Sequence, residues 1–164
     1  MGLLAKITPS SNVQVGRPLA DRIEVAVPSI AAIAARGASH LPAPVRRRAL
    51  ISALARAEGA FNRGDYEAVF ALFTNATRYV PPPALSTTPI SGRAAILEFW
   101  HSIGARFRNS TIENLSLDEA APERFTRTLR LTHQTEDSEI SYVIRQVTKL
   151  HHGRVVSQVN EQID

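Results

Sequence analysis

Near Asn109 the spacing of apolar residues changes from a period of 3.6 to a period of 2. Before that point the pattern is helical. Leu50, Leu54, Ala57 and Phe61 form one stripe, and Tyr66, Val69, Phe70 and Phe73 form a second. Ile96, Trp100, Ile103 and Phe107 follow at steps of four, three and four, a third amphipathic helix. Beyond it, residues 111–117 alternate. Phe125, Leu129 and Leu131 share one parity, and Thr126, Thr128, Arg130 and Thr132 share the other. Residues 140–150 are the longest β-prone run, and 154–163 form a final strand. Helices segregated from an antiparallel sheet define an α+β layer fold. Such a sheet must curl around the helices to bury its apolar face. A curled sheet closed by helices leaves a conical cavity, a common place for a ligand.

The junctions fit this order. Asn62-Arg63-Gly64 ends the first helix, with Gly64 suited to a left-handed cap, and Asp65 reads as the N-cap of the second. Residues 77–80 form a short strand stopped by Pro81-Pro82-Pro83, and Ser91 reads as the next N-cap. Residues 134–138 are a hairpin loop, and His151-His152-Gly153 is a tight turn. Residues 1–22 read as an extended or mobile lead. Residues 23–36 could be a short strand or helix cut at Pro28, and Pro42 and Pro44 mark a linker. The expected organisation is one domain over 46–164 behind an extension, partly mobile, over 1–45.

Charge narrows the function. Residues 1–56 carry eight basic against two acidic residues, and 57–164 carry eleven against thirteen. A nucleic-acid binder needs a basic stripe interleaved with aromatics. Here the aromatics lie away from Arg46, Arg47 and Arg48, so nucleic acid is not an expected partner. The arginine triplet reads as a solvated face, with a docking surface for an acidic partner as the alternative. No apolar run approaches the roughly 18 residues of a membrane helix. With no cysteine there is no disulfide frame and no thiolate metal site, and a cytoplasmic address is expected. His151 and His152 should diverge from their turn with no third ligand in view, so no metal site is expected. No glycine-rich phosphate loop is present, and no cofactor is implied.

The segments AFNRGDYEAVFALF (60–73), SGRAAILEFW (91–100) and GRVVSQVNE (153–161) resemble the nuclear transport factor 2-like fold. Within it they resemble the SnoaL-like domains, which include polyketide cyclases. The resemblance spans 46–164. It implies a cone-shaped α+β barrel, three helices packed in a curved antiparallel sheet, often a homodimer formed through the sheet. It implies no single activity, because the superfamily holds isomerases, cyclases, epoxide hydrolases, dehydratases and non-catalytic binders. Several family patterns fail on this chain. The oxyanion tyrosine of ketosteroid isomerases falls on Ala57, and their general base falls near Val80. The last-strand aspartate of the epoxide hydrolases falls on Asn160, and their Arg-x-Asp corresponds to Arg130-Leu131-Thr132. The aspartate of the cyclases has no counterpart on strands 124–134, 139–150 or 153–163.

The remaining candidates are mostly amides and aromatics. His133 shares the parity of Leu129 and Leu131 and could serve as a general base, or could lie at the strand end near solvent. Gln158 and Asn160, placed on one face with Val156, could meet a ligand carbonyl or hydroxyl, or pair with Gln146. Tyr142 and Gln146 share a parity, and Tyr142 could donate to a ligand oxygen or pack with a backbone partner. Tyr79 and Trp100 could form the apolar wall of a cavity or plain core. The expected function is binding of a small, mostly hydrophobic molecule with one or two polar oxygens. One alternative is a cofactor-free cyclase, isomerase or dehydratase using His133, with Tyr142 and Asn160 polarising a carbonyl. Another is a non-catalytic dimeric interaction module.

Overall fold

The computed structural model describes residues 18–164. Among them, helices α1 (Leu19–Ala26), α2 (Pro28–Ser39), α3 (Ala43–Asn62) and the single turn α4 (Tyr66–Val69) come first. Strands β1 (Phe73–Val80) and β2 (Ile90–Ser91) precede helix α5 (Arg93–Arg106). Strands β3 (Asn109–Ala121), β4 (Arg124–Gln134), β5 (Glu139–His151) and β6 (Arg154–Gln162) complete the chain. The six strands form one sheet in the order β2-β1-β6-β5-β4-β3, curved around the helices, as expected for an α+β cone. Register shifts in β3 between Asn114 and Ser116, and again between Glu119 and Ala121, supply bulges of the kind that bend a sheet. None of the described helices is long and apolar enough to cross a membrane.

The Asn-x-Gly-Asp turn has a physical reason for each fixed residue. Asn62 clips α3 to β3: its amide donates to Ile112 O at 3.1 Å, and its Oδ1 accepts from Ile112 N at 2.7 Å. Gly64 takes φ 73°, open to glycine at little cost. Asp65 is buried and its carboxylate accepts from Ala68 N, the N-cap the sequence predicts. The core inside the cone centres on Phe61, Tyr66, Phe70, Ile96 and Trp100, packed on Leu129, Leu131 and Ile144 of the sheet.

Several local expectations are corrected. The sheet is not wholly antiparallel, because β1 runs parallel to β6. Ser91 lies in β2, and Gly92 holds the cap position of α5. The helical stretch is cut before Pro28, as expected, with Val27 between α1 and α2, and Pro28 itself starts α2; Pro44 lies in the first turn of α3, where a missing N–H costs nothing. Val156 does not share the inward face of Gln158 and Asn160. A register shift lets Leu150 face Val155 while Lys149 faces Ser157, so Val155 is buried and Val156 is exposed.

Residues 1–17 lie outside the described residues, so the reading of a mobile lead is followed only from Pro18 onward. There, α1 and α2 are helical, and α2 lies against the β5–β6 turn. That turn carries positive φ at His152 (51°) and Gly153 (76°), the pattern of a type I′ hairpin. A Cβ on Gly153 would sit 2.0 Å from Ala32 O, so the backbone of α2 occupies the space a side chain would need.

Candidate functional site

The inward faces of β4, β5 and β6 carry polar residues at both ends and an apolar belt between. Register places Arg127 beside Gln146 and Gln146 beside Asn160, with Thr148 beside Gln158 in the next row. Leu129 beside Ile144 and Leu131 beside Tyr142 form the belt. His133, beside Ile140, lies six residues along β4 from Arg127, about 20 Å at 3.3–3.4 Å per residue.

At the His133 end the polar atoms are all engaged. His133 is 1% exposed and stacks on Phe107 with ring centroids 4.4 Å apart. Its Nδ1 lies 2.8 Å from Ser110 Oγ and its Nε2 lies 3.1 Å from Tyr142 Oη. Burial, reinforced by the Arg106 charge, pushes the imidazole down to about 4, so it is neutral at neutral pH. Burial likewise raises the Tyr142 phenol above its ordinary range. The solvent-facing alternative for His133 therefore does not describe the structure.

At the other end a buried cation organises the amides. Arg127 is 7% exposed; its Nε donates to Gln146 Oε1 at 2.7 Å and one terminal nitrogen donates to Asn114 Oδ1 at 2.8 Å. Asn114 in turn donates through its backbone N and its amide to Glu58, at 2.9 and 2.6 Å. Burial lowers the guanidinium to about 10 while the Glu58 charge works against that shift, and Arg127 stays cationic at neutral pH. Gln146 Nε2 donates to Asn160 Oδ1 at 2.8 Å, and Asn160 Nδ2 donates to Val80 O at 2.7 Å. Thr148 donates to Gln158 Oε1 at 3.3 Å. Trp100 Nε1 donates to the Tyr79 hydroxyl at 3.1 Å, and burial pushes that phenol up.

Two of the hollows beside this network are bordered by Arg127. The deeper, about 30 Å³, is bounded by Tyr79, Trp100 and Asn160 and is little larger than a water site, because Trp100 packs against Phe61 and Phe70. The larger, about 220 Å³, opens at the wide end between the sheet and helices α2 and α3. Arg127, Gln146 and Gln158 border both hollows. Thr148 and Phe125 face the larger one across from Leu50 and Leu54. Arg46 and Glu119, joined by an ion pair, also line it. His133 and Tyr142 border neither hollow. The structure thus gathers Gln146, Gln158 and Asn160 with Tyr79 and Trp100, and keeps His133 and Tyr142 apart from them.

Other expectations move. Arg46 is paired and only partly exposed, not simply solvated, and Arg47 donates to Leu117 O at 3.2 Å. Arg130 points outward to Glu113 at 2.8 Å, so the inward arginine of this strand is Arg127. Sequence reasoning passed over Arg127, although it shares the parity of Phe125 and Leu129. The rings of His151 and His152 lie 4.0 Å apart instead of diverging. Among the described residues, no three His, Asp or Glu side chains gather as a metal cluster would require.

These features belong to a cone-shaped fold of helices in a curved sheet, with a cavity at its wide end. Residues 54–158 match the SnoaL-like domain, and the chain belongs to that family. No curated protein matches the sequence. Among solved structures, Bal32a, from a soil-derived mobile gene cassette, is 20% identical, with 70% of this chain and 88% of that chain covered and a TM-score of 0.61. TerC, co-crystallised with polyporic acid, is 13% identical, with 69% and 90% covered and a TM-score of 0.58. IdmH, a candidate polyketide cyclase from Streptomyces antibioticus, is 16% identical, with 68% and 89% covered and a TM-score of 0.56. At these identities the likeness establishes the nuclear transport factor 2-like fold. The family match begins at residue 54, yet Ala35, Ala38, Arg46, Ala49, Leu50 and Ala53 all line the larger hollow. One wall of the cavity is therefore built by residues ahead of the family segment.

Proposed function

We propose that this chain binds a small, mostly hydrophobic molecule bearing polar oxygens in the wide end of its cone. The observation that carries the reading is the hollow of about 220 Å³, walled by Leu50, Leu54, Phe73 and Phe125 and reached by Arg127, Gln146 and Gln158. A dry apolar cavity of about 150 Å³ already admits benzene, so this one suits one or two rings. An apolar wall with a few convergent polar groups is the usual composition of a ligand pocket. The TerC crystals, with polyporic acid, are a precedent for a small organic guest with this fold.

The enzyme reading, a cyclase, isomerase or dehydratase, is less well supported. Its base, His133, is neutral, bonded at both nitrogens, and distant from Asn160 along the sheet. Native mass spectrometry of the purified protein with a panel of polyketide and terpenoid compounds tests the binding reading. A retained mass with a matching thermal shift is expected; neither would overturn it. A homodimer through the outer sheet face is a further part of the proposal. The register pair Val147 and Val159, half-buried on that face, supports it. Light scattering on the eluted protein should give twice the chain mass, and a monomer at every concentration would remove it.

A further inference from the structure

We infer that the guest is an acid, held through a carboxylate or an ionised enol or phenol by Arg127 with help from Gln158. This rests on the wide-end hollow being the binding site and specifies what it selects. Arg127 is a buried cation whose contacts are neutral: Gln146 and Asn114 accept from two of its three nitrogens. Among the described residues, its other terminal nitrogen has no hydrogen-bond acceptor, and that guanidinium borders both hollows. Glu58 is linked to Arg127 by hydrogen bonds only through Asn114; its charge offsets part of that of the cation, and it does not line the larger hollow. Glu119, the one acidic residue that does, is already paired with Arg46. The charged residues of the lining are Arg46, Arg127 and Glu119, a net positive charge among apolar walls and the neutral polar Ser39, Gln146, Thr148 and Gln158.

Gln158 adds to the imbalance. It is 8% exposed, its Oε1 is taken by Thr148, and its amide nitrogen has no acceptor among the described residues. Gln158 and Arg127 border the same space. Two donors with no acceptor among the described residues, on residues that line one hollow, suit a ligand that supplies acceptors. A planar anion meets a guanidinium better than a neutral carbonyl, because its charge also offsets the buried cation.

The test uses three probes with one apolar body: 2-naphthoate, 2-naphthamide and 2-naphthalenemethanol, titrated calorimetrically at pH 7 into the full chain. The acid should bind about tenfold or more tightly than either neutral probe, as expected for a charge-assisted pair. Arg127→Met should erase that preference, so that acid, amide and alcohol bind alike. Gln158→Leu, which leaves the cation in place, should reduce the preference without abolishing it, and it serves if the first variant does not fold. Equal binding of all three probes to the unaltered chain would overturn the acid inference and leave the cavity reading standing. Failure of all three to bind would overturn both.

Discussion

The two ends of the cone are built on the same strands and carry polar side chains in opposite conditions. At the narrow end, His133 meets Ser110, Tyr142 and Phe107, and every polar atom has a neighbour. At the wide end, Arg127 and Gln158 each have a donor with no acceptor among the described residues, and both residues line a hollow of about 220 Å³. Buried polar groups that satisfy one another act as packing and fix a unique arrangement. Buried polar groups left partly unmatched beside a space are costly unless something fills it. The histidine that chemistry would single out in the sequence therefore belongs to the self-satisfied end, and the arginine that looks like one charge among many lies beside the hollow that we propose as the binding site.

The largest expected effect is on the narrow end. His133→Ala removes a stacked ring and strands the hydroxyls of Ser110 and Tyr142. It should cost roughly 3–5 kcal/mol in urea unfolding while ligand affinity changes less than about twofold. A loss of binding as large as the loss of stability would merge the two ends into one site.

Proton uptake gives the next effect. The folded protein keeps His133 neutral down to about 4, whereas the unfolded chain protonates it near its ordinary 6.5. Between those values the unfolded state binds more protons. The contribution is thus complete above pH 6.5 and is lost as pH falls through the window toward 4, by up to ~3 kcal/mol. Unfolding curves of the unaltered chain and of His133→Asn at pH 7 and pH 4.5 should show a smaller pH dependence in the variant. Identical slopes would mean that the imidazole is not held neutral.

Two substitutions address the wide end. Ala53→Trp places a bulky ring in the hollow and should weaken the binding of 2-naphthoate by about 100-fold, or ~2.7 kcal/mol. The melting temperature should stay close to that of the parent chain, because the ring enters the hollow without displacing a core side chain. Gly153→Ala puts a Cβ where Ala32 O stands and strains a backbone at φ 76°. It should displace α2 at a cost of ~2 kcal/mol and loosen the wall that α2 gives the cavity. Hydrogen exchange should then quicken across 28–39 and leave 124–134 unchanged.

Much of the frame was legible because it rests on periodicity. The change of period at Asn109, the Asn62-Arg63-Gly64-Asp65 turn and the two hairpins all depend on local chemistry, and each appears in the structure. The same rule extended to Arg127, at the parity of Leu129, but a charged residue on an apolar face is easily counted with its outward neighbours. Val156 was misplaced because one inserted residue reverses parity, and nothing local marks the insertion. The parallel pairing of β1 with β6 joins residues far apart in sequence, beyond the reach of any local pattern. The wall supplied by α2 was hidden by prolines that begin helices as readily as they end them.

The most direct measurement is a two-dimensional NMR titration of the isotope-labelled chain with 2-naphthoate. The largest shifts should fall on the side-chain N–H signals of Arg127 and Gln158 and on the methyl groups of Leu50 and Leu54, with His133 and Tyr142 unmoved. Shifts centred on His133 and Tyr142 would contradict the account.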